Sequence, residues 1–247
     1  MVGKISVVGI GPGGLDEMTP RARRAIEGAE VVAGYNTYIK LIEKIIGGKK
    51  IIGRAMMQEI ERCQLAIEET LTGKNVAVVS SGDAGVYGMA GLVVEMILNL
   101  PEEKQPQFEV IAGVTAVNAA AAILGAPLMN DFAVISLSDL MTPLEIIKKR
   151  VRAAAQGDFV IALYNPKSKR RVTQLEEVQK ILLEYREKNT PVGIVTNAGR
   201  DGESKIISTL ENFTGENVNM FSLVLIGNSQ TFVKAGFMLT PRGYNLY

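Results

Sequence analysis

Apolar and polar positions follow two alternating rhythms along the chain. Short runs rich in Val and Ile fall at 4–8, 29–33, 50–52, 76–79 and 108–111. Between them, apolar residues return every three or four positions, the period of a helix lying on a core. That rhythm predicts helices over 18–28, 38–46, 58–71 and 91–100. Thr19 is a good N-cap, and Pro20 suits the first helical position. Over 58–71 the pattern puts Ile60, Cys63, Ile67 and Leu71 on one face. Strands this apolar, alternating with helices, predict a parallel sheet covered on both sides.

The second half reads differently. Gly113 and Thr115 open an alanine-rich helix over 116–124. A strand at 133–137, a helix at 143–155 and a strand at 159–164 follow. A helix over 171–188 turns Leu175, Val178, Ile181, Leu182 and Tyr185 inward. Strands at 192–196 and 205–209 are joined by AGRDGES, where Asp201-Gly202 is a hairpin signal. A last strand lies at 221–226. The expected fold is α/β with two domains: a parallel-sheet domain over 1–113 and a mixed-sheet domain over 114–247.

The stretch VVSSGDAGVYGM, 78–89, joins an apolar strand to a helix. Gly82, Gly85 and Gly88 let backbone amides approach a ligand closely, and Asp83 offers a carboxylate. In open α/β sheets ligands bind beyond the carboxyl ends of strands. Gly9, Gly11 and Gly14 match the dinucleotide pattern G-x-G-x-x-G, yet three details oppose that reading. Pro12 removes an amide donor. The helix starts near Thr19, too late to face a pyrophosphate. The acidic residue at the expected distance, Glu30, precedes its strand instead of following it. A loop lining a substrate cleft is the preferred reading.

Composition narrows the chemistry. Lys and Arg number 27 against 26 Asp and Glu, a net charge of +1, which gives no argument for nucleic acid or an anionic membrane. One cysteine, Cys63, allows neither an internal disulfide nor a cysteine-ligated metal, and fits a reducing cytoplasm. The absence of histidine removes Ser-His-Asp and His–metal chemistry. No apolar run is long enough to span a membrane, and MVGKISVVGIGPGG reads as a first strand, not a signal peptide.

With these residues in view, the chain resembles the tetrapyrrole methyltransferases. GIGPGG, SSGDAGVYGM and AGVTA at 112–116 carry the resemblance, in order and across two α/β halves. SLSDLMTP at 136–143, YNPKSKRR at 164–171, NAGRDGE at 197–203, IGNSQT at 226–231 and TPRGY at 240–244 are similar to one branch, the C-17 methyltransferases of corrin synthesis. The resemblance implies a homodimer that binds S-adenosylmethionine (SAM) between its two domains. It also implies a reaction that methylates C-17, contracts the macrocycle and closes a lactone. Cobalt enters, if at all, within the substrate; no protein metal site is expected.

By the same resemblance, Ser81, Gly82 and Asp83 hold the methionine end of SAM, with Val86 on its apolar part. Thr115 and Ala116 add a hydroxyl and a backbone contact. Tyr164, Asn165, Ala198 and Gly227 wrap the adenosine, and Pro12 approaches the methyl group. Thr115 also reads as an N-cap, and Tyr164–Asn165 as a strand end before Pro166. Asp131, Ser138 and Asp139 are the candidates for the proton movements of ring contraction, beside plainer readings as a cap and a solvated loop. Arg54, Arg170, Arg171 and Arg200 stand where arginines would meet the substrate's carboxylates. Branch members often carry histidine before Asp131 and tryptophan after Pro143; here Asn130 and Leu144 stand there. Rival readings are a sibling methyltransferase acting at another corrin carbon, a methylase of a modified histidine on a translation factor, a non-catalytic SAM sensor and a nicotinamide oxidoreductase.

Overall fold

The computed structural model describes residues 2–55, 57–168 and 171–245. The chain divides into two units, Met1–Ala116 and Val117–Tyr247. The first alternates strands β1 (Lys4–Gly9), β2 (Val31–Tyr35), β3 (Lys50–Arg54), β4 (Val76–Ser80) and β5 (Gln107–Ile111) with helices α1 (Pro20–Gly28), α2 (Asn36–Leu41), α3 (Glu59–Leu71) and α4 (Ala90–Leu98). All strand pairings are parallel, in the order β3-β2-β4-β1-β5.

The alternation of side chains along each strand builds two cores. Val7, Val31, Ala33, Val76 and Val78 face Cys63, Ala66 and Ile67 of α3 and Val93 and Ile97 of α4. Their neighbours Val8, Val32, Ala77 and Val79 face Ala22 and Ile26 of α1, with Ile42 and Ile46, on the other side. The chain leaving β1 therefore enters the helix layer on one face, and the chain leaving the adjacent β4 enters the other. That makes the β1–β4 pair a topological switch point, the place where such sheets bind ligands.

Thr19 caps α1, its Oγ1 accepting from Ala22 N–H at 3.1 Å, with Pro20 as first residue. The helix begins well after Gly14, behind a short turn at Leu15–Glu17. Glu30 lies at the amino end of β2, where its carboxylate accepts from Asn75 N–H at 3.0 Å. Neither feature suits a dinucleotide. The buried arc of α3 is Arg62, Cys63, Ala66, Ile67 and Thr70, whereas Ile60 is 61% exposed and Leu71 38%. At about 100° per residue these two fall on the rim of the arc, which corrects the expected face.

The second unit opens with α5 (Ala116–Leu124), whose first residue closes the first unit. Strands β6 (Gly125–Ala126), β7 (Phe132–Ser136), β8 (Val160–Tyr164), β9 (Pro191–Thr196), β10 (Ser204–Thr209), β11 (Ser222–Ile226), β12 (Phe232–Lys234) and β13 (Phe237–Leu239) surround α6 (Leu144–Gln156) and α7 (Gln174–Leu182). The main sheet has the order β10-β9-β11-β8-β7, with β7 and β8 parallel and the other pairs antiparallel. The carboxyl ends of β7, β8 and β9 therefore lie at one end of this sheet.

Ile147 and Val151 of α6 and Leu175, Val178, Ile181 and Leu182 of α7 pack with Leu163, Ile194 and Phe213 in this unit's core. Leu124 of α5 presses on Gly193, where an added Cβ would lie 2.4 Å from it. The long helix expected over 171–188 is the shorter α7, and Tyr185 beyond it is 39% exposed. A small sheet, β12-β13-β6, is an addition to the expected fold.

Candidate active site

Adjacent parallel strands β4, β1 and β5 bring the loops that follow them together. Gly11 N–H donates to Gly82 O at 3.1 Å, and Gly82 N–H donates back to Gly11 O at 2.7 Å. Both glycines have positive φ, +81° and +67°, a region costly for other residues. The contact leaves no room for side chains. A Cβ on Gly113 would lie 2.2 Å from Gly82 O, and one on Gly9 would lie 2.7 Å from both Gly113 N and Gly82 O. These loops thus form a floor of bare backbone at the switch point.

Asp83 fastens that floor. Its Oδ1 accepts from Gly85 N–H at 2.7 Å and its Oδ2 from Gly113 N–H at 2.9 Å. The carboxylate stays half-buried, and each oxygen retains acceptor capacity for a ligand donor. The loop closes further through Ser80 Oγ, which accepts from Met89 N–H at 3.1 Å, and through Ala90 N–H to Ala84 O at 2.9 Å. Pro12 is buried in the first loop; Ser81, Val86, Thr115 and Ala116 are half-buried around the floor. Gly82 faces Thr115 and Ala116, its notional Cβ 3.7 Å from Thr115 Cα. All the SAM residues expected in the first half therefore belong to these three loops. Tyr87, not among them, is 55% exposed with φ +53°. Its only sequence signal is its place between Gly85 and Gly88.

In the second unit, Ser136, Tyr164 and Thr196 end three parallel strands. Asn165 and Asn197 follow two of them, both left-handed with φ +51° and +54°, a conformation Asn tolerates better than most residues. Tyr164 Oη accepts from Val117 N–H at 2.9 Å, satisfying an amide at the start of α5. Asn165 Nδ2 donates to Ser136 Oγ at 2.9 Å, and Ser138 N–H reaches the same oxygen at 3.2 Å. Ala198 lies in the loop after β9 and shares this end of the sheet. Ser136 was legible only as a polar residue closing an apolar strand.

Gly227 does not join them. It follows β11, which runs antiparallel to β8 with Ile226 opposite Ile161, so it sits at the other end of the sheet, roughly 15 Å of strand away. Its N–H donates to Pro191 O at 2.9 Å and its O accepts from Arg186 Nη1 at 2.5 Å. A Cβ there would strike the Thr231 side chain at 2.6 Å. Gly227 serves a turn. Asp131 is displaced in the same way: it is exposed at the amino end of β7, whereas Ser138 and Asp139 follow the carboxyl end.

Ser138 and Asp139 belong to a polar cluster with the start of α7. Gln174 Nε2 donates to Asp139 Oδ2 at 3.0 Å, and Arg171 Nη1 donates to Ser138 Oγ at 3.3 Å. Of the other expected arginines, Arg54 pairs with Glu61 at 2.9 Å and also reaches Gly53 O. Arg200 is half-buried in the β9–β10 hairpin loop, and Arg170 lies outside the described residues. Among the described residues, no group of three or more Cys, Asp or Glu is placed to hold a metal ion. No helix among the described residues is long and apolar enough to cross a membrane.

A family model described as tetrapyrrole (corrin/porphyrin) methylases matches residues 4–214. The chain belongs to this family. The methylase is 48% identical over 246 residues to a "Cobalt-factor III methyltransferase" of Priestia megaterium, covering 99% of this chain but 46% of that longer protein. It is 49% identical over 242 residues to a "Probable cobalt-factor III C(17)-methyltransferase" of Salmonella typhimurium, covering 98% of this chain and 100% of the relative. A crystal structure of the methyltransferase CobJ superposes on it with a TM-score of 0.91 at 36% identity, covering 97% of this methylase and 100% of CobJ.

Proposed function

We propose that this methylase transfers a methyl group from SAM to C-17 of a precorrin-3-type tetrapyrrole, with contraction of the macrocycle, in cobalamin synthesis. The near-full-length identity to two relatives named for cobalt-factor III carries the reading. Those names favour the cobalt-bearing substrate over metal-free precorrin-3B, with cobalt as part of the substrate. A cytoplasmic homodimer completes the proposal.

The first unit's residues fit the methionine end of SAM. A floor without side chains offers main-chain donors and acceptors at close range, and Asp83 adds an acceptor for an amine. Ser81 and Gly82 complete that end, Val86 its apolar part, and Thr115 and Ala116 the flank. Pro12 stiffens the loop nearest the methyl group. Tyr164, Asn165 and Ala198 keep the adenosine role that the family resemblance implies; Gly227 does not.

SAM supplies an electrophilic methyl on a sulfonium. In-line displacement then needs alignment more than acid–base power, so the lack of histidine is no obstacle to that step. Ring contraction needs proton movement. Asp139, 35% exposed at the carboxyl end of β7, is the preferred candidate, with Ser138 beside it. Asp131, at the opposite end of that strand, is set aside.

The test is mass spectrometry after incubation with SAM and either cobalt-factor III or precorrin-3B. The expected result is one added methyl and a contracted-ring spectrum, with the cobalt substrate preferred. SAM binding without a methylated product from either would move the reading to a sibling carbon or to a sensor.

A further inference from the structure

Arg171 is a cation held away from water without a full set of partners among the described residues. Its side chain is 11% exposed. A guanidinium carries five N–H donors. Nη1 makes one long bond to Ser138 Oγ, 3.3 Å, and the nearest carboxylate oxygen, Asp139 Oδ1, stands 4.0 Å away. Nε is buried with no hydrogen-bond partner among the described residues. Native folds leave few such atoms, because an unpaired buried charge is expensive.

The surroundings keep it that way. Asp139 would be the natural counter-ion, but its Oδ2 is engaged by Gln174 Nε2 at 3.0 Å, which holds the carboxylate short of the guanidinium. Gln174 is itself 8% exposed, and its Oε1 also lacks a partner among the described residues. It is the first residue of α7, whose N-terminus has no side-chain cap and so adds positive potential. Arg171 is fixed from behind: its N–H donates to Ser168 Oγ at 3.1 Å, and Ser168 N–H donates to its carbonyl at 3.0 Å. A carboxylate placed against the guanidinium would supply the missing acceptors, and the bidentate Arg–carboxylate pair is the strong form of that contact.

We propose that Arg171, positioned by Ser138 and the Asp139–Gln174 pair, anchors a carboxylate side chain of the tetrapyrrole substrate. This rests on the reading of the protein as a tetrapyrrole C-17 methyltransferase. It singles out one arginine of the four expected from the sequence and makes it a determinant of substrate binding, distinct from the SAM residues.

Arg171→Gln and Arg171→Lys test it, with two readouts. One is KM and kcat for cobalt-factor III; the other is titration with uroporphyrin III, an octacarboxylic tetrapyrrole whose binding needs no turnover. Arg171→Gln is expected to raise KM and the uroporphyrin Kd about tenfold or more, the loss of a charge-assisted pair. SAM affinity should stay within about twofold, because the anchor touches substrate alone. Lys keeps the charge but not the fork, so it should fall between. Wild-type KM and uroporphyrin Kd in Arg171→Gln would overturn the anchor while leaving C-17 methylation standing. If Arg171→Gln loses SAM binding or melts early, Arg171→Lys decides, and wild-type values in it overturn the anchor. If the wild-type protein methylates neither substrate, the C-17 reading fails. Weakened uroporphyrin binding in the variants would still uphold the anchor, and unchanged or absent binding would overturn it.

Discussion

Asp83 could be read from the sequence as a carboxylate in a glycine loop, but not its partner thirty residues on. The bond from Gly113 N–H shows that the residue assembles the floor, a role beside the ligand contact proposed for it. Asp83→Asn separates these roles poorly but strikes both, because an amide NH2 cannot accept a hydrogen bond. It should cost about 1 kcal/mol of stability, the loss of one hydrogen bond at a half-buried site, and lower SAM affinity at least about tenfold. Thermal melting and calorimetric titration check both; unchanged SAM titration would remove Asp83 from the site. The glycines divide just as sharply. A methyl at Gly113 meets the Gly82 carbonyl at 2.2 Å, whereas one at Gly14 meets nothing within 4 Å. Gly113→Ala should therefore lose stability and SAM binding together. Gly14→Ala should bind SAM like the wild type, although a dinucleotide reading of G-x-G-x-x-G would make that glycine the one that lets helix and strand pack. A SAM-binding defect in Gly14→Ala would reopen that reading.

At the level of elements, what the sequence made legible was whatever local pattern dictates. The strands of the first sheet appear within two residues of the expected positions; the inner strands β1, β2 and β4 are buried on both faces and had to be continuously apolar. The misses have tertiary causes. Ile60 and Leu71 have the right spacing but sit on the rim of the α3 arc. β12 and β13 meet in a two-residue turn at Ala235 and Gly236, both with positive φ, without the Asn-Gly signature of such turns. β6 is two residues long and exists only through its pairing with β13. Gly227 and Asp131 were misplaced because motif order does not say at which end of a mixed sheet a residue emerges. One element contact carries a pH signature. Glu109 on the edge strand β5 meets Lys4 at 2.7 Å, Arg21 of α1 at 2.9 Å and Ser6 Oγ at 3.0 Å. Lys4 is the largest influence, with Arg21 and Ser6 adding to it, and together they hold the carboxyl down from 4.5 to about 2 against the opposing effect of burial. A depressed carboxylate adds stability that is fully present above its unfolded pKa and is lost as pH falls through its folded one. Glu109→Gln should thus melt below the wild type at pH 7, and the gap should close between pH 4.5 and about 2. A gap that stays constant over that window would show that the carboxylate's charge is not what ties β5 to β1 and α1.

For the molecule as a whole, the one cysteine reports whether the glycine loops and the core beneath them hold together. Cys63 is fully buried on α3, and burial pushes its thiol up to about 11. Near pH 8 it is therefore a neutral thiol out of reach, and since the thiolate is the nucleophile, a thiol reagent must wait for the first unit to open. The core that holds Cys63 also contains Ala84 and Ala90, which flank the Asp83 loop. Opening α3 by unfolding that core should dismantle the glycine floor, and the SAM binding proposed for it, as well. A ligand that binds only the closed form then slows labelling by the factor 1 + [SAM]/Kd, about a hundredfold at a hundred times Kd. The protection should shrink in Asp83→Asn in proportion to its lost affinity, and it should persist in Arg171→Gln, whose defect belongs to the other substrate. Labelling followed by mass spectrometry at rising SAM concentration measures all three proteins in one experiment. If saturating SAM leaves the wild-type rate unchanged, α3 opens while the glycine floor stays intact, and the first unit does not unfold as one cooperative body.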